Sequence, residues 1–268
     1  MAPKEMGNYD MYTNGMKKPM EDKLFFVDMV KDEVDGLVDY GCADGELLAH
    51  IAERRPDWKL YGIDMDGEMI ERARKRNLGA SYYQRKNLGL LSNNYINMKS
   101  KILNLSSVLH ELYSYSNKED IRQFWWDVSM NEAKYIAIRD FMVDNNTLRK
   151  ADPILISKIK IATSRRKESH WLSDYLIRRI EAGIFPDSQK EWIHYLMKYR
   201  YKDNWEREVR KDYFPLTVEK LFEILPTDKY KVVYFKHYIL PFTKEKIRED
   251  FGIELTDETH VQILLERK

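Results

Sequence analysis

Residues 37–48 run Leu-Val-Asp-Tyr-Gly-Cys-Ala-Asp-Gly-Glu-Leu-Leu. An apolar stretch ends at Asp39, small residues run from Gly41 to Gly45, and a helical pattern with Leu47, Leu48 and Ile51 on one face begins at Glu46. A strand that turns into a helix through glycine and alanine opens a β-α unit, and the chain repeats that order up to Val143. Residues 59–64 form a second strand. Asp66 can N-cap a helix that turns Met69, Ile70 and Ala73 inward. A weaker strand over 80–84 and a stronger one over 101–109 come next. Ser116 and Glu119 make a capping box opening a helix over 118–130, and 135–143 is a fifth strand. These strands are nearly continuous in apolar residues, which predicts a parallel sheet buried on both faces.

The alternation breaks after Val143. Residues 146–212 show helical spacing and no strand: Leu172, Leu176 and Ile180 share a face, as do Trp192, Tyr195, Leu196 and Tyr199. Ser188 and Glu191 form a second capping box. The α/β pattern returns over 217–225, 230–240 and 260–267. The last two strands lie too close in sequence for an ordinary crossover, so an antiparallel end strand is expected. The organisation is one α/β domain, residues 21–145 and 213–268, interrupted by a helical insertion at 146–212 and preceded by an arm of residues 1–20. Apolar residues at Leu24, Phe25, Val27, Met29 and Val30 predict a short helix just after that arm.

Charge and cysteine usage bound the function. The net charge is only +1, so no global field recruits nucleic acid. The charge is segregated, however: residues 149–212 hold 16 Lys/Arg against 10 Asp/Glu, leaving the remainder of the chain acidic. Basic residues around Arg165, Arg166 and Lys167, and between Tyr199 and Lys211, interleave with Trp171, Tyr199, Tyr201 and Trp205. That pattern suits a phosphate backbone with stacked bases. It equally suits an amphipathic helical lid with its aromatics inside. Cys42 is the single cysteine, which excludes an internal disulfide framework and fits a reducing, cytoplasmic setting. No stretch has the apolar length of a signal peptide or a membrane span, and no metal site is expected.

Three ligand classes use a glycine turn after a first strand. A phosphate loop ends in Gly-Lys-Ser/Thr, whereas Gly45 is followed by Glu46 and Leu47. A dinucleotide fingerprint needs glycine at its first, third and sixth positions. Counting from Gly41, those positions hold Gly41, Ala43 and Glu46, and Glu46 sets a carboxylate where a pyrophosphate would sit. The third class has small residues at alternate positions, here Gly41, Ala43 and Gly45, and tolerates acids nearby. Asp39 ends the first strand and Asp64 ends the second, where a carboxylate can accept both hydroxyls of a ribose.

In these residues the chain resembles the class I S-adenosylmethionine-dependent methyltransferases. Val38–Glu46 is similar to the family's first motif, residues 60–66 to its second, and residues 104–115 occupy the place of its fourth-strand motif. The resemblance covers about 35–143 and 216–268. It implies a Rossmann-like seven-stranded sheet, mostly parallel, with helices on both faces, an antiparallel seventh strand and S-adenosylmethionine as cofactor. Asp39 would position the methionine amino group. Gly41, Ala43 and Gly45 would line the backbone approach, and Asp64 would hold the ribose. Ala43 replaces the commoner middle glycine. Where the family often has an acid for the adenine amino group, Asn87 is the available acceptor.

Ligands of open α/β sheets bind at the C-terminal strand ends, so the acceptor should face Ser106, Ser107, His110, Glu111, Arg139 and Asp140. Ser106 is assigned to the cofactor side. His110 has the intrinsic pKa of a general base, although a hydrogen-bonded structural histidine fits the same position. Glu111 can orient it or bind an acceptor amine, and Arg139 with Asp140 reads as a buried strand-end pair. The expected activity is methyl transfer to an oxygen or nitrogen of a small or phosphorylated metabolite, or of RNA held by the insertion. The alternative is a binding subunit of the same fold without catalysis. The oligomeric state is not legible.

Overall fold

The computed structural model describes residues 20–31, 33–76, 79–85, 98 and 100–268. Seven strands form one sheet: β1 (Gly36–Tyr40), β2 (Lys59–Asp64), β3 (Ser81–Gln84), β4 (Lys101–Ser106), β5 (Tyr135–Phe141), β6 (Tyr230–Tyr238) and β7 (His260–Arg267). Their order is β3-β2-β1-β4-β5-β7-β6. The first five pair in parallel, and β7 runs antiparallel to both β5 and β6. The expected antiparallel strand is therefore present, but it inserts beside β5 and leaves β6 at the edge. The order reverses between β1 and β4, which places a crevice at the C-terminal ends of those two strands.

Helices α1 (Met20–Lys23), α2 (Glu46–Arg54), α3 (Gly67–Lys75), α4 (Leu109–Tyr115) and α5 (Lys118–Met130) precede or connect the first five strands. Leu47, Leu48 and Ile51 of α2 and Ile70 and Ala73 of α3 bury against Leu37, Leu60 and Ile102, forming one face of the core. Val38, Ile63, Leu103, Leu105, Ile136 and Ile138 pack with Phe124 and Val128 of α5 on the other. Strands β4 and β5 are buried along almost their whole length, as a sheet covered on both faces requires.

Several local expectations shift. The helix after the arm is a single turn, Met20–Lys23, continued by tight turns in which Val27 N–H donates to Leu24 O and Met29 N–H to Phe26 O. Strand β4 stops at Ser106, because Ser107 takes a φ of 58° and ends the extended run. Helix α5 is capped by Asn117, whose side chain accepts from Asp120 N–H, and not by the Ser116–Glu119 box.

Between β5 and β6 lie α6 (Pro153–Ser164), α7 (His170–Glu181), α8 (Gln189–Lys198), α9 (Trp205–Glu208) and α10 (Val218–Ile224), with short 3₁₀ turns at Asn145–Leu148 and Lys202–Asn204. Helix α11 (Pro241–Phe251) joins β6 to β7. Trp171, Trp192, Tyr195, Tyr199 and Trp205 sit in one core with Phe251 of α11. Ser188 precedes α8 but makes no side-chain cap. Glu191 is instead buried, paired with Arg179 at 2.6 and 2.9 Å. A burial that deep holds a carboxylate only because the guanidinium meets both of its oxygens.

Candidate active site

A cavity of about 1230 Å³ opens above the C-terminal ends of β1, β2, β4 and β5. It is larger than a site for one small molecule, typically about 300–1000 Å³. On one side stand Asp39, Gly41, Cys42, Ala43, Asp64 and Ser106. On the other stand His110, Glu111, Arg139, Phe141 and His260, facing Tyr199, Tyr201, Arg207, Lys211 and Tyr213. The two motif halves read from the sequence thus meet across one space. Gly45 is not among the residues lining it, and Asn87 lies outside the described residues.

The turn after β1 is built from positive-φ residues: Gly41 at 79°, Ala43 at 47° and Gly45 at 77°. A β-carbon on Gly41 would come within 2.9 Å of Val108 Cγ2, and one on Gly45 within 2.6 Å of the Tyr82 hydroxyl. Packing of the turn therefore demands both glycines directly. Asp64 reaches across from β2 to fix the turn: its Oδ2 accepts from Ala43 N–H and its Oδ1 from Asp66 N–H, each at 2.9 Å. Each oxygen keeps a second lone pair, so the carboxylate can still accept ribose hydroxyls. Burial raises its pKa, against those backbone donors. Glu46, at the start of α2, ion-pairs with Arg76 at 2.6 Å. The Cys42 thiol is buried and pushed up by burial, with Asp39 and Asp64 adding to the shift, so it is held as a protonated packing group.

Asp39 is fully enclosed at the end of β1 and accepts from Asn104 Nδ2 at 2.8 Å. Burial lifts its carboxyl to about 6, a rise that the Asn104 bond and Lys23 oppose. Sequence reasoning missed Asn104 as a partner, although a lone amide inside an apolar strand was a visible signal.

His110 falls in the first turn of α4. Its Nδ1 lies 2.6 Å from Asp140 Oδ1. Asp140 is completely buried and also accepts from Leu109 N–H and Phe141 N–H, both at 2.7 Å. An ionised carboxylate only accepts, so the proton of this contact sits on Nδ1. The ring is also boxed by the edges and faces of Phe141 and Tyr213, at centroid distances of 5.2 and 5.5 Å. The orienting carboxylate is therefore Asp140 and not Glu111. Glu111 lies 2.5 Å from Lys211 Nζ and 3.5 Å from Arg207 Nη2. Burial would raise the Glu111 carboxyl, but Lys211, His110 and Arg207 outweigh it and hold it below the ordinary range. The expected Arg139–Asp140 pair does not form as such: the two side chains alternate across the sheet. Arg139 turns to Asp22 at 2.7 Å and to Ser107 Oγ at 3.2 Å.

Residues 38–129 match the family model of a methyltransferase domain. Over these residues the chain is similar to a methyltransferase domain. The solved structure of an S-adenosylmethionine-dependent methyltransferase from Anabaena variabilis aligns with a TM-score of 0.53 at 11% identity, over 94% of this chain and 85% of that one. The plantazolicin methyltransferase BpumL, solved with S-adenosylhomocysteine, aligns with a TM-score of 0.49 at 15% identity, over 98% and 88%. The methyltransferase domain of bacterial CtHen1-C aligns with a TM-score of 0.48 at 10% identity, over 97% and 98%. At 11% identity the first of these likenesses speaks for the fold. No curated protein matches the sequence. The methyltransferase family uses S-adenosylmethionine, and the cavity suits that cofactor. Its β1–β2 side carries the carboxylates of Asp39 and Asp64, which favour a sulfonium and an ammonium over a pyrophosphate. Ser106 Oγ is buried there without a hydrogen-bond partner among the described residues.

Proposed function

We propose that the methyltransferase domain moves the methyl group of S-adenosylmethionine to an oxygen or nitrogen of a small-molecule acceptor, with His110 as general base. The observation that carries this is the 2.6 Å His110–Asp140 contact in the same cavity as Asp39 and Asp64. When bound, the cofactor supplies a methyl group on a positively charged sulfur, a leaving group that needs no acid. Asp39 then takes the amino group and Asp64 the ribose, which fixes the direction of approach. Asp140 keeps the His110 proton on Nδ1, leaving Nε2 to accept a proton from the acceptor, and its charge stabilises the imidazolium that results. Glu111, 3.8 Å from Nε2, adds to that stabilisation.

Residues 146–212 act in this proposal as a lid that selects the acceptor. Tyr199, Arg207 and Lys211 line the cavity opposite His110. The burial of Trp171 and Trp205, two of the four rings interleaved with the basic residues, supports a small acceptor over RNA, because those two rings are committed to the insertion's own core and not offered as a stacking platform. Among the described residues no helix is long and apolar enough to cross a membrane. A cytoplasmic setting is part of the proposal, supported by the single buried thiol.

The test is incubation with methyl-labelled S-adenosylmethionine and, separately, a small-molecule extract and an RNA extract. Label should enter the small-molecule fraction. His110→Ala should slow transfer by about 10²–10⁴-fold while leaving S-adenosylhomocysteine affinity within about threefold. Label in RNA, or full activity without the imidazole, contradicts the proposal.

A further inference from the structure

Five rings meet at the His110 end of the cavity, and all five line it. Phe141 and Tyr213 stack at 4.5 Å, 9° from parallel. His110 stands across both, at 86° and 78°. His260 tilts onto Phe141 at 4.7 Å, and Tyr201 meets Tyr213 edge-to-face at 6.3 Å. His110, Tyr213 and His260 are buried, whereas Tyr201 is 41% exposed, so its ring is the one most open to a ligand. The charges on the same side are matched to each other. Lys211 Nζ lies 2.5 Å from Glu111 and 2.7 Å from Glu208, and Arg207 Nη2 lies 3.5 Å from Glu111. Two cations and two acids give this group no net charge. An acceptor bearing a phosphate would have to break these pairs or enter unmatched, and either is costly where the groups are this buried.

Resting on the methyltransferase reading above, we propose that the acceptor is an uncharged aromatic compound with a phenolic hydroxyl, its ring laid against Tyr201 and its oxygen presented to His110. Ring faces beside charges that sum to zero recognise a flat, neutral ring. The hydroxyl follows from the base. A neutral amine attacks with its own lone pair and needs no base beforehand, whereas a hydroxyl must give up its proton. A phenol, with an ordinary pKa of about 10, is matched to an imidazole base far more closely than an aliphatic alcohol is. In the step, the O–H bond breaks with its proton going to His110 Nε2. The oxygen pair forms the bond to the methyl carbon while the carbon–sulfur bond breaks onto sulfur. The positive charge passes from sulfur to the imidazolium, which Asp140 and Glu111 flank at 2.6 and 3.8 Å.

The test is calorimetry on the S-adenosylhomocysteine complex of the full chain, with 2-naphthol, its saturated counterpart decahydro-2-naphthol and 2-naphthyl phosphate as probes. The wild type should bind 2-naphthol about 3–10-fold more tightly than the saturated alcohol, the worth of one aromatic pair, and the phosphate more weakly than either. Tyr201→Leu should bring 2-naphthol and the saturated alcohol within about twofold of each other, and Tyr201→Phe should keep the preference. Tyr201 is exposed, so both variants should fold. With methyl-labelled S-adenosylmethionine, label should enter 2-naphthol and not 2-naphthylmethanol, which carries an aliphatic hydroxyl on the same ring. The phenolic acceptor is overturned if the saturated alcohol or the phosphate binds as tightly as 2-naphthol, or if the preference survives Tyr201→Leu. It is overturned too if label enters 2-naphthylmethanol as fast as 2-naphthol, or enters neither. Each of these outcomes leaves the methyltransferase reading standing as long as S-adenosylhomocysteine binds. Failure of the wild-type protein to bind S-adenosylhomocysteine overturns that reading and the acceptor class with it.

Discussion

Replacing Asp140 by Asn tests the His110 assignment at its root. Asp140 Oδ1 accepts from both the His110 ring and Phe141 N–H, and Oδ2 accepts from Leu109 N–H. An amide has one oxygen, so no orientation satisfies all three donors. If the oxygen stays at the Oδ1 position, the NH₂ group opposes Leu109 N–H. If the amide flips, its NH₂ opposes Phe141 N–H and donates to His110 Nδ1, which drives the ring proton to Nε2. Either outcome loses one charge-assisted bond and strands a buried backbone donor, about 2–4 kcal/mol of stability in all. The flipped amide also removes the base, costing about 10²–10⁴-fold in rate. Denaturant unfolding measures the first effect. Nitrogen-15 spectra of labelled histidine measure the second without an acceptor, because a protonated and an unprotonated ring nitrogen resonate far apart. The wild type should show His110 protonated on Nδ1; in the variant a flipped amide should show the proton on Nε2, and an unflipped one should leave it on Nδ1. A wild-type spectrum with the proton on Nε2 refutes the reasoning.

Three further outcomes rest on the same geometry. The Asp39 carboxyl is held at about 6 against 3.8 in the unfolded chain, so the folded state binds the proton more tightly and stability falls as pH rises between those values, by about 3 kcal/mol in total. Asp39→Asn should therefore stabilise the ligand-free protein by about 2–3 kcal/mol at pH 7 and not at pH 3, while weakening S-adenosylhomocysteine at least about tenfold; equal loss of stability at both pH values would contradict this. Gly45→Ala should cost about 1–2 kcal/mol for its positive φ alone, and more for displacing Tyr82, while the folded fraction retains cofactor affinity within about tenfold, as parallel unfolding and binding titrations would show. In the insertion, Glu191→Ala should cost about 3–5 kcal/mol by removing the bidentate partner of buried Arg179 and leaving it only the longer 3.6 Å pairing with Asp212, whereas Ser188→Ala should stay within about 0.5 kcal/mol; urea midpoints that reverse this order would restore the capping box.

The sheet and its crevice were legible because their signals are local. The apolar runs of β1, β2, β4 and β5, the small-residue turn, and the places of Asp39 and Asp64 at the ends of their strands can each be read within a few residues of sequence. The partner of His110 was not legible, because Asp140 is 30 residues away in sequence and is brought in only by the β4–β5 register, in which Ser106 stands opposite Arg139. The same holds for Lys23, which reaches the cavity from before the first strand. Glu191 shows the opposite error. A capping-box spacing is a local signal, but tertiary burial beside Arg179 overrode it. Ser107 ended β4 early for a reason no propensity carries: a positive φ in a serine, beside a hydroxyl that accepts from Arg139.

A crystal structure of the protein with S-adenosylhomocysteine tests the site as a whole. The ribose hydroxyls should lie within hydrogen-bonding distance of Asp64, the amino group should lie on Asp39, and the sulfur should face the His110 side of the cavity. A ribose held away from Asp64, or a sulfur turned from His110 toward the sheet, would contradict the assignment of both halves of the site.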